Sequence, residues 1–218
     1  MTKDGLSSTS ADELKVLEDN TDISSYVLKN YKAPFTPNEF KEGQGGTENS
    51  WAVPAGWTVN EAAQNMFNKQ NGQYCSVPVG GLNTDAQVLI IQAGWNNNAV
   101  AATKTVTNGK MYQNITLPKG SYMLKVTYGE VVLKTGNPYV AIVKNMAELP
   151  NPDQLSEANG DVFWKFKDHS KNAPLAEESI PFNLSETTEI CLGFTANLPY
   201  TSCFKVTEFK LVYVGDVQ

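Results

Sequence analysis

The sequence predicts an all-β protein built as a sandwich of two antiparallel sheets. From Asn49 onward, apolar and polar residues alternate in short runs, which is the period of a strand with one buried face. Turn residues separate these runs, and no apolar stripe at helical spacing is longer than two turns. About eight to ten strands can be counted, a number that suits two packed sheets. The chain has 218 residues, of which 41% are apolar, so it can bury a substantial core.

The N-terminal region differs from the rest of the chain in being polar and interrupted. We interpret residues 1–46 as an arm or linker and residues 47–218 as the sandwich domain. Ser10 and Glu13 form a capping-box pattern, which predicts one short helix. The apolar residues within 22–31 indicate that the arm lies against the sandwich or against a neighbour, and the glycines near its end are typical of a linker.

The central and C-terminal strands carry the strongest pattern. Residues 121–128 alternate between apolar and mixed side chains, which predicts a strand with one buried face. The Pro-Lys-Gly turn at 118–120 just before it predicts a hairpin. Within 203–214 the apolar phase changes by one residue, so we expect a β-bulge at Thr207 and Glu208 that keeps both halves of the strand on the core.

Between Asn145 and Ser179 the regular pattern is lost, apart from a short strand predicted at Val162 to Phe166. A long irregular excursion in a β-sandwich usually acts as a functional loop or as a cover for one sheet. Both interpretations of this excursion remain open from the sequence.

The charge pattern limits the classes of ligand. The net charge is -6, from 23 acidic residues against 17 basic ones, and all of the basic residues are lysines. Because arginine is the usual bidentate reader of phosphate and guanine, its absence from an acidic chain argues against nucleic acids and phosphate ligands. A neutral or weakly cationic partner fits better.

The sequence contains neither a membrane helix nor a signal peptide pattern. No run approaches the roughly 18 apolar residues that a membrane helix needs. The opening residues MTKDGLSSTS lack a basic n-region followed by an apolar h-region. They are typical of a mature start, so we expect that a signal or lipoprotein leader was removed.

The three cysteines predict no disulfide framework and no common zinc site, because they are odd in number and show no C-x-x-C spacing. We interpret Cys75, Cys191 and Cys203 as separate small apolar side chains. The alternative is a disulfide between Cys191 and Cys203 on consecutive strands. A hairpin centred on 198–199 would, however, place Cys191 nearer Val206.

Five motifs suggest a family. They are W-x-x-P-x-G-W at 51–57, QAGW at 92–95, NGKMYQNITLPKGSYML at 108–124, GFTANL at 193–198 and FKLVYVGD at 209–216. From about Asn49 to Asp216, the chain resembles the galactose-binding-like jelly-roll domain of unknown function from Bacteroidetes surface lipoproteins. The resemblance implies a jelly-roll fold, an exported protein at the cell surface, outer membrane or periplasm, and a role in glycan capture or degradation. It supplies no catalytic residues.

The best candidate for ligand contact is the loop that begins with a tryptophan and three asparagines. An indole ring can stack on the C–H face of a pyranose, and amides can bind its hydroxyl groups. The ordinary alternative is that Trp95 is buried where its strand ends and that the asparagines form a turn. The predicted ligand-binding residues are Trp95, Asn96, Asn97, Asn98, Tyr139 and Trp164. Two further tryptophans, Trp51 and Trp57, are predicted to lie in the core.

No catalytic residue is predicted. His169 is the only histidine, and adjacent residues of an extended segment point to opposite sides, so Asp168, His169 and Ser170 do not form a triad. A glycosidase would need two carboxyl groups across a cleft, whereas the paired glutamates lie among polar residues and are typical of solvated loops.

No cofactor is predicted, with structural calcium as the one alternative. Glu48, Asp85 and Asp216 could supply oxygen ligands, although no D-x-D-x-D loop supports such a site. The sequence therefore favours a noncatalytic carbohydrate-binding or glycan-associated module of an exported lipoprotein, expected to be a monomer that contacts the membrane only through its lipid anchor. The alternative is a structural or adhesive protein-interaction domain of a multidomain surface protein.

Overall fold

The computed structural model describes residues 18–40, 51–64, 69–70, 73–74, 79–94 and 105–217. The strands, in chain order, are β1 (Thr21–Asp22), β2 (Pro37–Phe40), β3 (Trp51–Pro54), β4 (Thr58–Val59), β5 (Lys69–Gln70), β6 (Gln73–Tyr74), β7 (Val79–Asn83), β8 (Val88–Gln92), β9 (Val106–Leu117), β10 (Gly120–Val132), β11 (Asn137–Lys144), β12 (Val162–Lys165), β13 (Ala176–Leu184), β14 (Thr188–Leu198) and β15 (Cys203–Gly215). The helices are α1 (Ser24–Val27), α2 (Glu61–Gln64) and a 3-10 turn (Glu157–Asn159). Within these residues, no helix is long and apolar enough to cross a bilayer.

Two antiparallel sheets pack face to face. In the described part of the chain, the eight-stranded sheet has the order β13-β10-β15-β8-β7-β3-β2, with β1 also beside β15. The five-stranded sheet has the order β12-β11-β14-β9-β4, and β5 pairs with β6 separately. From β9 to β15 the chain passes to the other sheet at every connection except the one from β11 to β12, as in a jelly roll. The predicted all-β jelly-roll sandwich is confirmed.

The core lies between the two sheets and follows the predicted alternation. In β10, Tyr122 and Leu124 are buried, whereas Met123 and Lys125, which alternate with them, are partly exposed. At the centre, Trp57 stacks on Phe194 at 6.0 Å between ring centroids and meets Phe209 edge-on at 5.4 Å. Trp57 is 5% exposed, so the prediction that it belongs to the core is confirmed.

The predicted β-bulge is present in β15. Thr127 on β10 pairs with Glu208, and the next residue, Tyr128, pairs with Val206. Thr207 is therefore left out of the register. The extra residue allows Val206 and the residues after Glu208 to point into the same core, although the strand period alone would place them on opposite faces.

Two predicted hairpins are wrong. The turn at 118–120 joins β9 to β10, and the corner at 199–202 joins β14 to β15, but each pair of strands belongs to different sheets. Turn residues reverse the chain direction without specifying whether the two strands become hydrogen-bonded neighbours. In a sandwich, either arrangement brings both apolar faces to one core. Cys191 and Cys203 consequently lie in different sheets as free, buried thiols, and Cys75 lies outside the described residues.

The N-terminal segment closes one side of the sandwich. Ile23 donates its backbone N–H to the Leu211 carbonyl at 2.9 Å, and Ile23 and Leu28 are 0% and 4% exposed in the core. The expectation that this segment packs against the sandwich is confirmed. The capping-box residues Ser10 and Glu13 lie outside the described residues, and the domain boundary after residue 46 stays a prediction.

Candidate ligand-binding cleft

Four of the predicted ligand-binding residues, Trp95, Asn96, Asn97 and Asn98, lie outside the described residues. The described residues that flank them are anchored to the corner between β14 and β15. Gly94 accepts a hydrogen bond from the Thr201 N–H at 3.0 Å, and Val106 pairs with Leu198. Gly94 and Val106 thus both lie at the end of the sandwich where β14 is connected to β15.

The other two predicted rings, Tyr139 and Trp164, are half-buried and lie on opposite faces of the five-stranded sheet. Trp164 faces the core, where it packs against Tyr128 and Phe166 at 5.5 and 5.0 Å between centroids. Tyr139 faces outward and meets the edge of Phe163 at 5.7 Å. Because these two rings occupy opposite faces, they do not form one ligand platform together.

Most of the outer face of the five-stranded sheet is sealed by residues 145–161, which we name the cover segment. Leu149 of this segment is 0% exposed. It belongs to a second apolar cluster with Tyr112, Ala141, Val143 and Cys191. The sequence leaves two interpretations of residues 145–179 open, a functional loop or a cover for one sheet, and the packing of Leu149 shows that the part from 145 to 161 covers a sheet.

Polar contacts also fasten the cover segment. Thr195 donates its hydroxyl to the Pro150 carbonyl at 2.9 Å, and the Lys110 ammonium lies 3.3 Å from the Glu148 carboxylate. Burial, together with the nearby Glu148 charge, raises the pKa of the Cys191 thiol to about 12 despite the opposing charge of Lys110. A thiol with such a pKa is neutral and unreactive at neutral pH.

A cleft of about 420 Å³ opens where the cover segment begins. This volume lies within the usual range for small-molecule sites. One wall comes from α1 and the residues after it, the floor from the second half of β9, and the other wall from the start of the cover segment and of β14. The lining residues are Tyr26, Val27, Lys29, Gly56, Gln113, Asn114, Ile115, Thr116, Met146, Ala147, Glu189 and Ile190.

The N-terminal wall is clamped to the floor by one amide side chain. Gln113 is 4% exposed. Its Oε1 accepts the Lys29 backbone N–H at 2.8 Å, and its Nε2 donates to the Lys29 carbonyl at 2.6 Å. Both ends of the amide are therefore used, so Gln113 positions the wall instead of contacting a ligand.

The opposite wall is held by the next residue of the same strand. Asn114 Nδ2 donates to the Ala147 carbonyl at 2.9 Å, and Asn145 donates its backbone N–H to the Glu189 carbonyl at 2.8 Å. Successive side chains of a strand point to opposite faces. Two neighbouring amides on β9 thus hold the two walls. Both walls line one cleft because residues 113–116 of β9 lie beyond the pairing with β4, at the edge of the described sheet.

A glycine allows the Lys29 side chain to lie against the turn after β3. Gly56 has a φ of +77°, and a Cβ added there would lie 2.3 Å from Lys29 Cβ. Any other residue would be strained in this backbone conformation and would push the Lys29 stem away. The position of Lys29 in the cleft therefore depends on a glycine at 56.

Two exposed large hydrophobic side chains line the cleft. In the described part of the chain, the exposed large hydrophobic residues are Tyr26, Phe40, Met146 and Leu175, at 46%, 45%, 43% and 59%. Two of these four line the cleft, Tyr26 on one wall and Met146 on the other. Exposed apolar side chains gathered in one concave site indicate a binding surface more strongly than single ones scattered over the protein.

The cleft contains one positively charged and one negatively charged side chain. Lys29 and Glu189 are exposed, and among the described residues neither side chain has an ion-pair partner. Thr116 adds a hydroxyl, and Asn114 Oδ1 remains as an acceptor. One cation, one anion, a hydroxyl and an amide oxygen next to an exposed ring can bind an uncharged polyhydroxylated ligand.

The residues around the lone histidine have structural partners. The ring Nε2 of His169 lies 2.9 Å from the Pro174 carbonyl, and Asp168 Oδ1 accepts the Leu133 N–H at 2.8 Å. His169 also exchanges backbone hydrogen bonds with Val131. These contacts join the segment after β12 to the end of β10.

Glu48, Asp85 and Asp216 are the predicted alternatives for binding structural calcium. Within the described residues, no group of three or more His, Cys, Asp or Glu side chains is arranged to hold an ion. Asp216 Oδ1 accepts the Tyr213 hydroxyl at 2.8 Å, Asp85 is exposed, and Glu48 lies outside the described residues. Structural calcium therefore stays a prediction.

The cleft itself was not predicted from the sequence. The sequence assigns Tyr26 and Lys29 to the arm, and most residues of β9 fall within the motif at 108–124. One signal was present: Gln113 falls in the buried phase of β9, between Met111 and Ile115. A polar side chain at a buried strand position needs a hydrogen-bond partner. This requirement indicates that another segment of the chain packs against β9 at Gln113.

The described residues form a jelly-roll β-sandwich with a cleft beside β9. The model of the family described as "Domain of unknown function (DUF5013)" matches residues 29–193. The chain belongs to this family, which confirms the predicted domain of unknown function. An origin in Bacteroidetes surface lipoproteins stays a prediction. No protein with curated information matches the chain.

Three solved structures illustrate the similarity beyond the family. A cyclase from Fischerella sp. has a TM-score of 0.46 and 9% identity, covering 87% of this chain and 96% of that one. The CBM22-1 xylan-binding domain of Xyn10C from Paenibacillus barcinonensis has a TM-score of 0.40 and 6% identity, covering 93% and 100%. A protein described as sugar-binding, from Bacteroides thetaiotaomicron, has a TM-score of 0.40 and 13% identity, covering 85% and 98%. Similarity at this level carries no ligand over to this chain.

Proposed function

We propose that this chain is a noncatalytic carbohydrate-binding module that holds a neutral glycan in the cleft between α1 and the cover segment. The observation that carries the proposal is the concentration of exposed apolar side chains there, with Tyr26 and Met146 on two walls that neighbouring amides hold in place. A tyrosine ring presents an apolar surface to the C–H face of a sugar at little entropic cost.

The charges favour an uncharged ligand. The chain contains no arginine and has a net charge of -6, which disfavours anionic partners. Within the cleft, Lys29 and Glu189 contribute one charge of each sign. Hydroxyl groups can donate to the carboxylate and accept from the ammonium, so a polyol satisfies both without adding a net charge.

The proposal is tested by glycan binding with a matched pair of ring variants. Tyr26→Ala removes the exposed ring of the cleft, and Phe40→Ala removes a ring of similar exposure outside it. On an array of neutral plant and host glycans, we expect wild type and Phe40→Ala to bind the same glycans, whereas Tyr26→Ala loses at least about tenfold in affinity, or ~1.4 kcal/mol. Absence of binding by the wild type would overturn the proposal.

The sequence-predicted loop provides a second arm of the same experiment. Trp95→Ala tests whether Trp95, with Asn96, Asn97 and Asn98, forms the binding surface instead of the cleft. If Trp95→Ala abolishes binding while Tyr26→Ala leaves it intact, the site belongs to that loop. If Trp95→Ala lowers only the melting temperature, Trp95 is a core residue, as expected for a structural or adhesive domain.

A second part of the proposal concerns the cellular location of the module. We propose that the module is exported and acts at the cell surface, outer membrane or periplasm as part of a lipoprotein, held to the membrane by a lipid anchor. The support is the resemblance of the five sequence motifs to surface lipoprotein domains. Fractionation of cells that express the full-length gene, with metabolic labelling by a fatty acid, tests the location, and recovery in the cytoplasm without lipid would contradict it.

A further inference from the structure

Resting on the proposed function, we infer that the cleft prefers sugars that carry an acetamido group over their hydroxyl counterparts. The inference comes from the wall opposite Tyr26. A sugar with only hydroxyl substituents presents C–H faces to a ring and oxygen atoms to polar groups, so it leaves an aliphatic wall unused. Here that wall is formed by Met146, which is 43% exposed, and Ala147 beside it.

An acetamido group matches this wall because it combines a methyl group with an amide. The methyl can cover the Met146 side chain, and burying one such group strengthens binding by about fourfold. Tyr26 remains available to the sugar ring on the other wall. The two apolar walls would then serve two different parts of one ligand.

The polar groups nearest this wall fit an amide as well. Asn114 donates its Nδ2 to the Ala147 carbonyl, which places Asn114 against the aliphatic wall and leaves its Oδ1 as an acceptor. An acetamido N–H is a donor that this oxygen can accept. The acetamido carbonyl needs a donor, and the exposed Lys29 ammonium of the opposite wall has no ion-pair partner among the described residues.

The test compares sugars that differ only in this substituent. Dissociation constants are measured by calorimetry for cellobiose against N,N′-diacetylchitobiose, and for methyl galactoside against its N-acetylgalactosamine counterpart. Each pair is titrated into wild type, Met146→Ala and the control Leu175→Ala, which truncates another exposed aliphatic side chain, outside the cleft. Both substituted residues are exposed, so folding is expected to persist and is checked by melting temperature.

We expect the wild type and Leu175→Ala to bind the acetamido member of at least one pair about fourfold or more tightly. In Met146→Ala, the ratio should fall toward one, with little change for the hydroxyl sugar. Equal affinities within both pairs, or a preference that survives in Met146→Ala, would overturn the inference and leave the proposed function standing. If none of these sugars binds but another neutral glycan does, the inference fails alone, and if no glycan binds, both fail.

Discussion

Strand β9 has two outward-facing stretches that differ in solvent exposure. Lys110 and Tyr112 are 7% and 9% exposed because the cover segment lies over them. Asn114 and Thr116, on the same face of the same strand, are exposed and line the cleft. The difference does not lie in the strand. It arises at the start of the cover segment, where Met146 and Ala147 line the cleft without covering Asn114 and Thr116.

The covered stretch contributes to the stability of the fold, whereas the open stretch is the one that we propose to bind a glycan. The covered stretch is closed by the apolar cluster around Leu149, whereas the open stretch is bounded by hydrogen-bonded walls and keeps its apolar side chains exposed. Buried apolar contacts contribute several kcal/mol when they are complete, and exposed ones are retained mainly where they contact a partner. Variants in the two regions should therefore affect different measurements.

The largest effect is expected in the covered region. Leu149→Ala removes a side chain that is 0% exposed, so the free energy of unfolding should fall by about 2–5 kcal/mol. Equilibrium unfolding in urea measures this change. Glycan affinity should persist, because Met146 and Ala147 are held separately through Asn114.

Labelling of Cys191 provides a second measurement of the same variant. Burial raises the pKa of Cys191 to about 12 and that of Cys203 to about 11, so neither thiol should react with iodoacetamide in the native wild type at pH 8. In Leu149→Ala, Cys191 should become labelled while Cys203 stays protected, as resolved by peptide mass spectrometry. Equal labelling of both cysteines would mean that the whole protein unfolds. This result would contradict the account in which the cover segment packs separately from the main core.

An intermediate effect is expected at the clamp of the cleft. Gln113→Ala deprives the Lys29 N–H and carbonyl of their partners, which should cost about 1–3 kcal/mol and weaken glycan binding. Urea unfolding measures the loss of stability, and calorimetry measures the loss of glycan affinity. The control is Thr116→Ala, an exposed change on the same strand, which should leave stability unchanged. Retained affinity in Gln113→Ala would show that the N-terminal wall does not depend on this clamp.

The sequence predicted the strands better than their partners. The alternation of β10 and the bulge at Thr207 follow from the strand period, which depends only on which residues must face the core. The turn at 118–120 was assigned to a hairpin wrongly, because reversal of the chain looks the same whether the next strand lies beside the first or across the core. Strand pairing is decided by packing among distant segments, which a local pattern does not record.

The site was harder to predict than the fold for a related reason. Tyr26, Asn114 and Met146 are far apart in sequence, and each has an ordinary local explanation. They come together because the N-terminal segment and the cover segment both hydrogen-bond to β9, through Gln113 and Asn114 respectively. By contrast, the local sequence around Tyr139 and Trp164 does not specify the sheet face of either ring, and the sheet places them on opposite sides.

The smallest effect concerns the start of the N-terminal wall. Asp22 Oδ1 accepts hydrogen bonds from the Ser24 backbone and hydroxyl at 3.0 and 2.6 Å, and Oδ2 lies 3.5 Å from the Lys210 ammonium. Burial acts to raise the pKa of Asp22, but these hydrogen bonds and the lysine charge outweigh it and hold the pKa below its ordinary value of 3.8. The ionised carboxylate therefore stabilises the folded chain.

The pH dependence of Asp22→Asn has a definite sign. Because the folded pKa is the lower one, the stabilisation is complete above about pH 4 and is lost as the pH falls through the folded pKa. Wild type should exceed Asp22→Asn in melting temperature at pH 7, by the equivalent of under about 1 kcal/mol because the carboxylate is half-exposed. The difference should shrink as the pH falls through the folded pKa, and a constant difference would contradict this account. Labelling of Cys191 should be identical in both proteins, since Asp22 supports the wall of the cleft and not the cover.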